Sequence, residues 1–289
     1  MGFRTIVITR QCKCTFKNDY LVLRSDRMQM IHLSEIDMII LDTTAVSVTG
    51  YLINELAKWN IGLVFCDEHH NPSAQLSSIY GNYKTSRRIA DQINWSKESK
   101  EAMWTRIIFE KIKNQSLLLK KHNKQQFELL DLYLSELELN DRSNREGLSA
   151  KVYFNALFGK DFNRREDNDI NASLNYGYAL ILSAVNKEII ANGYITQIGI
   201  KHRNDFNDFN LSSDIMEPFR PLIDEIVYNS LPVVFDSEMR TKLLNIFNST
   251  VTIDSNEYYL SSAISKFVSD VLKNLGNGTS EKVEFIRIQ

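Results

Sequence analysis

The sequence predicts an α+β fold, a small β-rich N-terminal domain with one helix joined to a larger all-α domain. Three features lead there. Short runs with period-two alternation and many β-branched residues fill the first quarter of the chain, as strands do. Apolar residues at spacings of three and four take over afterwards, as in helices packed on one face. Only 4 prolines and 11 glycines interrupt 289 residues, which leaves room for long helices. The expected boundaries are 1–78 for the β-rich unit, 79–95 for a linker and 96–289 for the helical unit.

In chain order, strands are expected at 5–9, 12–17, 20–24 and 28–33, separated by turn formers such as Asn18-Asp19 and Ser25-Asp26. Segments 36–41 and 62–66 are nearly all apolar, like strands buried on both faces. Between them Leu52, Ile53 and Leu56 stand at helical spacing, so one helix crosses 47–60. From Asp67 to Pro72 the chain is polar and turn-like, and Tyr80-Gly81-Asn82-Tyr83 reads as a hinge. Ser96 is placed to cap a long helix through Trp104, Ile107, Ile108 and Ile112. Further helices are expected at 127–139, 144–158, 174–190, 218–228, 238–247 and 261–275.

Composition narrows the function. Hydrophobic content of 43% and charged content of 24% are those of a globular protein. No apolar run approaches the ~20 residues of a membrane helix, and the short stretch between Arg4 and Arg10 is too brief for a secretory signal. Three cysteines suggest no disulfide framework, so a reduced, cytoplasmic setting is expected. Cys66-Asp67-Glu68-His69-His70 has metal-binding residue types, but with Cys12 and Cys14 it offers no Cys-x-x-Cys arm for zinc. A net charge of −2 excludes a general polycation. Bases are nevertheless segregated: residues 84–124 hold 11 Lys/Arg against 4 Asp/Glu, and 127–141 hold five acids and no base. Lys84, Arg87 and Arg88 are then either a solvated face or a phosphate-binding stripe. Arg164 and Arg165 form a second basic pair, and Lys201, Arg203 and Arg220 complete the candidate nucleic-acid contacts.

Three distant side chains point to one metal site. Glu146 tops a helical stripe of Ala150, Tyr153, Phe154 and Leu157 that should pack inward, where an unpaired carboxylate costs several kcal/mol. The competing reading is an acid in the first turn of a helix, favoured by the backbone dipole. Glu217 precedes Pro218 and an apolar stripe of Phe219, Leu222, Ile223, Ile226 and Val227, which allows either a ligand or a capping box with Asp214 as N-cap. His202, between Lys201 and Arg203, is either a ligand or a surface histidine. Two carboxylates and an imidazole suit a hard divalent cation with positions open for a phosphate oxygen.

These blocks resemble the CRISPR-associated integrase family of the spacer-acquisition module, the Cas1 family, in its type II-A form. The resemblance is carried by Arg145-Glu146-Gly147 with Ala150, Tyr153 and Phe154; by Leu174-Asn175-Tyr176-Gly177-Tyr178-Ala179; by Gly199 to His202; and by Asp214 to Pro221. Val64-Phe65-Cys66-Asp67, Pro72 and Leu76 extend it into the N-terminal half. It implies Glu146, His202 and Glu217 as catalytic metal ligands for Mg²⁺ or Mn²⁺, with Asp214 supporting them. It also implies a homodimer formed through the N-terminal domain, a small partner subunit, and DNA as substrate, both captured fragment and leader–repeat. Other type II-A adaptation proteins and the effector nuclease are further implied partners. Leu148-Ser149 and Lys201 depart from the family pattern without removing a ligand. The implied reaction is attack of a 3′-hydroxyl on a phosphodiester; the rivals are a non-catalytic DNA-binding scaffold and a purely hydrolytic nuclease.

Overall fold

Strand chemistry in the first residues produces two four-stranded sheets. The computed structural model of the chain describes residues 2–76, 82–253, 256–278, 283 and 285–287. Strands β1 (Arg4–Ile8), β2 (Cys12–Lys17), β3 (Tyr20–Arg24), β4 (Met28–His32), β5 (Ile36–Leu41) and β6 (Val46–Val48) lead to helix α1 (Gly50–Lys58), followed by β7 (Gly62–Cys66) and β8 (Pro72–Leu76). One sheet has the order β1-β5-β7-β8, parallel except for β8; the other has the order β4-β3-β2-β6. Thr49 caps α1 by accepting from the Leu52 N–H, which explains why the helix begins later than the expected 47 and leaves 46–48 free to pair with β2. Strand β8, of which Pro72 alone lies in the stretch expected to be turn, pairs antiparallel with β7, the Ser73 hydroxyl adding a bond to the Phe65 carbonyl at 3.3 Å, and shows no alternation in burial.

The apolar runs at 36–41 and 62–66 are buried on both faces. Ile39, Leu41 and Leu63 join a core with Leu21, Leu33, Leu52 and Leu56, while Met38, Ile40, Val64 and Cys66 join the core of the helical part. Cys12 and Cys14 also face the first core, and burial, with Cys12 beside it, pushes the Cys14 thiol up to about 12.

The helical part comprises α2 (Thr85–Ile93), α3 (Lys97–Lys121), α4 (Phe127–Ser135), α5 (Arg145–Phe158), α6 (Asp169–Ala191), α7 (Asn210–Ile215), α8 (Arg220–Asn229), α9 (Ser237–Leu244) and α10 (Leu260–Asn277). Ser96 caps α3 as expected, accepting from the Ser99 N–H at 3.1 Å. Asn168 caps α6 through the Asn171 N–H, so α6 starts one turn before its apolar stripe. Two expectations are corrected. Part of the stretch read as a linker is helix α2, and Gln92 docks it by donating to the carbonyls of Ile195 and Ile198 at 2.9 Å. The helical part is not all-α: β9 (Thr250–Ile253) and β10 (Asn256–Tyr259) form a hairpin whose alternating Val251 and Ile253 are buried. The expected hinge at Tyr80-Gly81 lies outside the described residues.

Helix α6 joins the two parts. Its Lys187 pairs with Asp37 of β5 and with Glu188, and its Tyr176 hydroxyl donates to Asp42 at 3.4 Å. Tyr178, two residues on, points the other way and donates to Asp224 of α8. Gly177 between them is required by close approach: a Cβ there would stand 2.5 Å from Ile223 Cγ2. Gly177→Ala is therefore expected to lower the unfolding free energy by about 1–3 kcal/mol in chemical denaturation, despite alanine's better helix propensity. An unchanged midpoint would show that α6 and α8 relax apart at no cost.

Candidate active site

The long helix α3 carries a lysine where its periodicity calls for an apolar residue. Lys111 lies four residues after Ile107 and seven after Trp104, on the face buried in the helical core. Its ammonium is 2.7 Å from Glu146 Oε1 and 2.6 Å from Glu217 Oε2. Burial would lower the lysine's pKa, but Glu217 and Glu146 overcome this and raise it. Three groups whose sequence positions span 106 residues thus meet at one nitrogen.

Local structure explains how each carboxylate arrives. Asp141 accepts from the backbone N–H groups of Arg145 and Glu146 at 2.7 and 3.1 Å, which caps α5 and fixes Glu146 in its first turn. Glu217 opens a tight 3₁₀ turn (Glu217–Phe219) between α7 and α8, and Asn114 of α3 holds that turn by donating to the Pro218 carbonyl at 3.0 Å. Neither Glu217 nor Asp214 caps a helix, so the capping-box alternative fails. Burial would push Glu217 up; Arg220, whose Nε donates at 2.9 Å, and Lys111 hold it instead at about 2. The Arg220 guanidinium is itself stacked 4.5 Å over the Tyr178 ring.

Asp214 is fully buried and organises the segment that presents His202. One carboxylate oxygen accepts from the N–H groups of Ile200 and Lys201 at 2.7 and 2.8 Å, and the other bonds His202 Nδ1. Gly199 permits this wrap, since a Cβ would lie 2.6 Å from the His202 carbonyl oxygen and 2.8 Å from Asp214 Oδ2. The Asp214 bond, with charges from Glu217 and Glu146 added, raises the His202 pKa against burial. Trp104 packs edge-on against the imidazole at 5.7 Å. With Nδ1 committed to Asp214, Nε2 is the nitrogen left for a ligand or a proton.

Among the described residues, no three histidine, cysteine or carboxylate side chains already close on an ion. The lysine accounts for this, since its ammonium occupies the space between the two glutamates and supplies the positive charge they require. Glu217 Oε2 is buried and lies close to Lys111 without a well-directed hydrogen bond, which leaves a lone pair open to a cation. Two carboxylates with an ammonium between them offer the oxygen donors that a hard divalent metal takes.

The expected DNA contacts separate into two groups. Lys84, Arg87, Arg165 and Arg203 are exposed and form no ion pair among the described residues. Arg88 donates to the Tyr194 hydroxyl at 3.0 Å, Arg164 to Asn171 and Asn175, Lys201 to Asn140 and Arg220 to Glu217. The second group is therefore engaged in holding the fold. Lys111 was missed in the sequence, although the reasoning that singled out Glu146, a charge on an apolar stripe, applies equally to it.

A half-buried Glu146 and a buried Glu217 meeting at one ammonium, with a histidine oriented by Asp214, offer donors that suit metal-dependent phosphodiester chemistry. A family model described as "CRISPR associated protein Cas1" matches residues 5–232. The CRISPR-associated endonuclease Cas1 of Neisseria meningitidis serogroup C (strain 8013) is 30% identical over 276 residues, covering 93% of this chain and 91% of that protein. Among solved structures, a casposase bound to integration product matches with a TM-score of 0.75 at 19% identity, over 97% of this chain and 92% of that one. A chain of a Cas6-RT-Cas1–Cas2 complex gives 0.74 at 19% identity, over 98% of this chain and 36% of that longer one. At such identities the solved structures speak for the fold. The chain belongs to the Cas1 family of CRISPR-associated proteins.

Lys111→Met should leave the half-buried Glu146 facing Glu217 with Arg220, on Glu217, as the remaining counter-charge. In EDTA the variant is expected to lose about 3–5 kcal/mol of unfolding free energy, and Mn²⁺ should restore part of it. Equal stability of variant and parent in EDTA would show that the ammonium does not hold the glutamates together.

Proposed function

We propose that Glu146, His202 and Glu217 form the centre at which this Cas1-family enzyme inserts captured DNA fragments into a CRISPR array. The observation that supports the reading is the meeting of Glu146 and Glu217 at one buried cation position; His202, oriented by Asp214, lies within the electrostatic reach of both carboxylates. The reaction is transesterification: a 3′-hydroxyl of the fragment attacks a phosphodiester at the leader end of the repeat, the new ester forms, and the old 3′-oxygen leaves. A second attack joins the other strand.

Glu146, Glu217 and His202 would hold Mg²⁺ or Mn²⁺, which supplies polarisation of the phosphate and neutralisation of the leaving oxygen. The chain's own residues set up that capacity. Arg220 keeps Glu217 ionised and fixed in orientation. Asp214 engages Nδ1 of the imidazole, so that Nε2 is the nitrogen offered. Lys111 keeps the carboxylate pair assembled before a metal or DNA arrives. Lys84, Arg87, Arg165 and Arg203, without acidic partners, are the side chains free to meet phosphates.

The assembly follows the same reading. We assign a homodimer paired through the β-rich N-terminal domain and a small partner subunit. In support of the partner subunit and of DNA, solved structures of similar fold include a Cas1–Cas2 complex and a casposase bound to integration product, while the homodimer rests on the family resemblance. The type II-A form, with other adaptation proteins and the effector nuclease as partners, rests on the Asn175–Ala179 and Asp214–Pro221 blocks. A bacterial cytoplasmic location goes with a DNA substrate; no helix among the described residues is long and apolar enough to cross a membrane.

The test is strand transfer by the purified protein with its partner subunit and Mn²⁺ on a labelled donor. Glu146→Gln and His202→Ala are each expected to lower joining at least a hundredfold while DNA affinity in EDTA stays within about twofold. Full joining by either variant would overturn the assignment, and cleavage without joined strands would favour hydrolysis. Separately, Arg87→Glu should weaken DNA binding and reduce the slope of log K against log salt by about 1. An unchanged slope would assign Arg87 to a solvated face.

A further inference from the structure

Glu146 and His202 reach the centre on separate arms of the chain, and each arm has its own anchor. Asp141 accepts from the Arg145 and Glu146 N–H groups and so fixes Glu146. Asp214 accepts from the Ile200 and Lys201 N–H groups and engages His202 Nδ1. Glu217 follows Asp214 within the same buried segment, so His202 and Glu217 share an arm. Lys111 joins Glu146 to that arm at the centre itself, in the position a metal would take.

The Glu146 arm begins in a strained turn. Asn140, Asp141 and Asn144 have φ of 61°, 49° and 52°, the left-handed region that residues other than glycine seldom adopt. Side chains from outside tie this turn down. Thr105 Oγ1 of α3 accepts from the Asn140 N–H at 2.7 Å. Lys201 Nζ donates to the Asn140 carbonyl and to Asn140 Oδ1, both at 3.1 Å. Lys201 thereby reaches both anchors: its N–H bonds Asp214 at 2.8 Å, and its side chain grips the residue before Asp141. Burial raises the Asp141 pKa, and the nearby Lys201 charge opposes that rise. A lysine expected to meet phosphate instead spans the two arms.

We propose that Lys201 is a positioning residue whose span from the Asp214-held segment to the Asn140 turn sets the separation of His202 Nε2 and the Glu146 carboxylate, so that both meet one divalent cation. This rests on the metal-dependent joining reading and names a residue that tunes the same site. The tie lies outside the centre, so a metal that displaces the Lys111 ammonium leaves it in place. Without it the two glutamates still attract a cation, but the imidazole no longer meets that cation reliably.

Mn²⁺ binding to the purified chain, read by titration and by electron spin-echo detection of nitrogen coupled to the metal, tests the role apart from catalysis. Wild-type protein is expected to show imidazole coupling that His202→Ala lacks. Lys201→Met should bind Mn²⁺ about tenfold more weakly and lose most of the coupling. The lysine is exposed, so the denaturation midpoint in EDTA should hardly move. Lys201→Arg, with donors enough for both Asn140 oxygens, should restore affinity and coupling. In strand joining, Lys201→Met should lower kcat with KM for DNA within about twofold. Undiminished coupling and Mn²⁺ affinity in Lys201→Met, with a raised KM, would overturn the proposal and return Lys201 to the DNA contacts. A wild-type spectrum without imidazole coupling would overturn the Glu146–His202–Glu217 reading itself, which separates the two failures.

Discussion

Two carboxylates brought together inside a protein repel each other unless a cation lies between them, and this constraint governs the centre of the molecule. Lys111 supplies that cation. Its ammonium draws Glu146 of α5 and Glu217 of the α7–α8 turn onto α3, and Arg220 supplies the second positive charge. Electrostatics that look like a cost to stability thereby become the means of pre-assembly. A ligand pair held open by water would have to be ordered at the moment of binding; here that ordering is done when the chain folds.

The surrounding polar groups extend the same logic. Asp214 is wholly buried because four neighbours, three backbone N–H groups and one imidazole nitrogen, satisfy it. Asp224, likewise buried, accepts from Tyr153 and Tyr178, and burial, resisted by these bonds, still pushes its carboxyl up to about 6. Arg220 lies over Tyr178, so the Asp224 cluster and the Glu217 cluster share one ring as a wall. On the other side of α6, Tyr176 and Lys187 bind the β-rich sheets to the helical core. Helix α6 is thus one of the elements that fix the helical core against the N-terminal sheets, together with the apolar face of β5 and β7 and the stacking of Phe3 on Tyr259.

Much of this was legible in the sequence where one physical signal dominates. The buried strands at 36–41 and 62–66, the Ser96 cap and the long stripe of α3 follow from periodicity and capping chemistry. Glu146 was legible because a charge on an apolar face demands a partner. Strand β8 was not, because an edge strand paired by its backbone needs no alternation and Pro72-Ser73-Ala74-Gln75-Leu76 shows none. The hairpin at 250–259 was readable from Thr250-Val251-Thr252-Ile253 but lay within a region otherwise dominated by helix. Asp214 and Lys111 depend on contacts between segments 12 or more residues apart, which local spacing does not encode.

The central claim is that a divalent cation replaces the Lys111 ammonium between Glu146 and Glu217. Anomalous diffraction at the manganese edge from crystals grown with Mn²⁺ tests it most directly. The account predicts one peak about 2.0–2.6 Å from oxygens of Glu146 and Glu217 and a nitrogen of His202, with Lys111 moved aside. A peak elsewhere, or none while Lys111 stays seated between the glutamates, would contradict it.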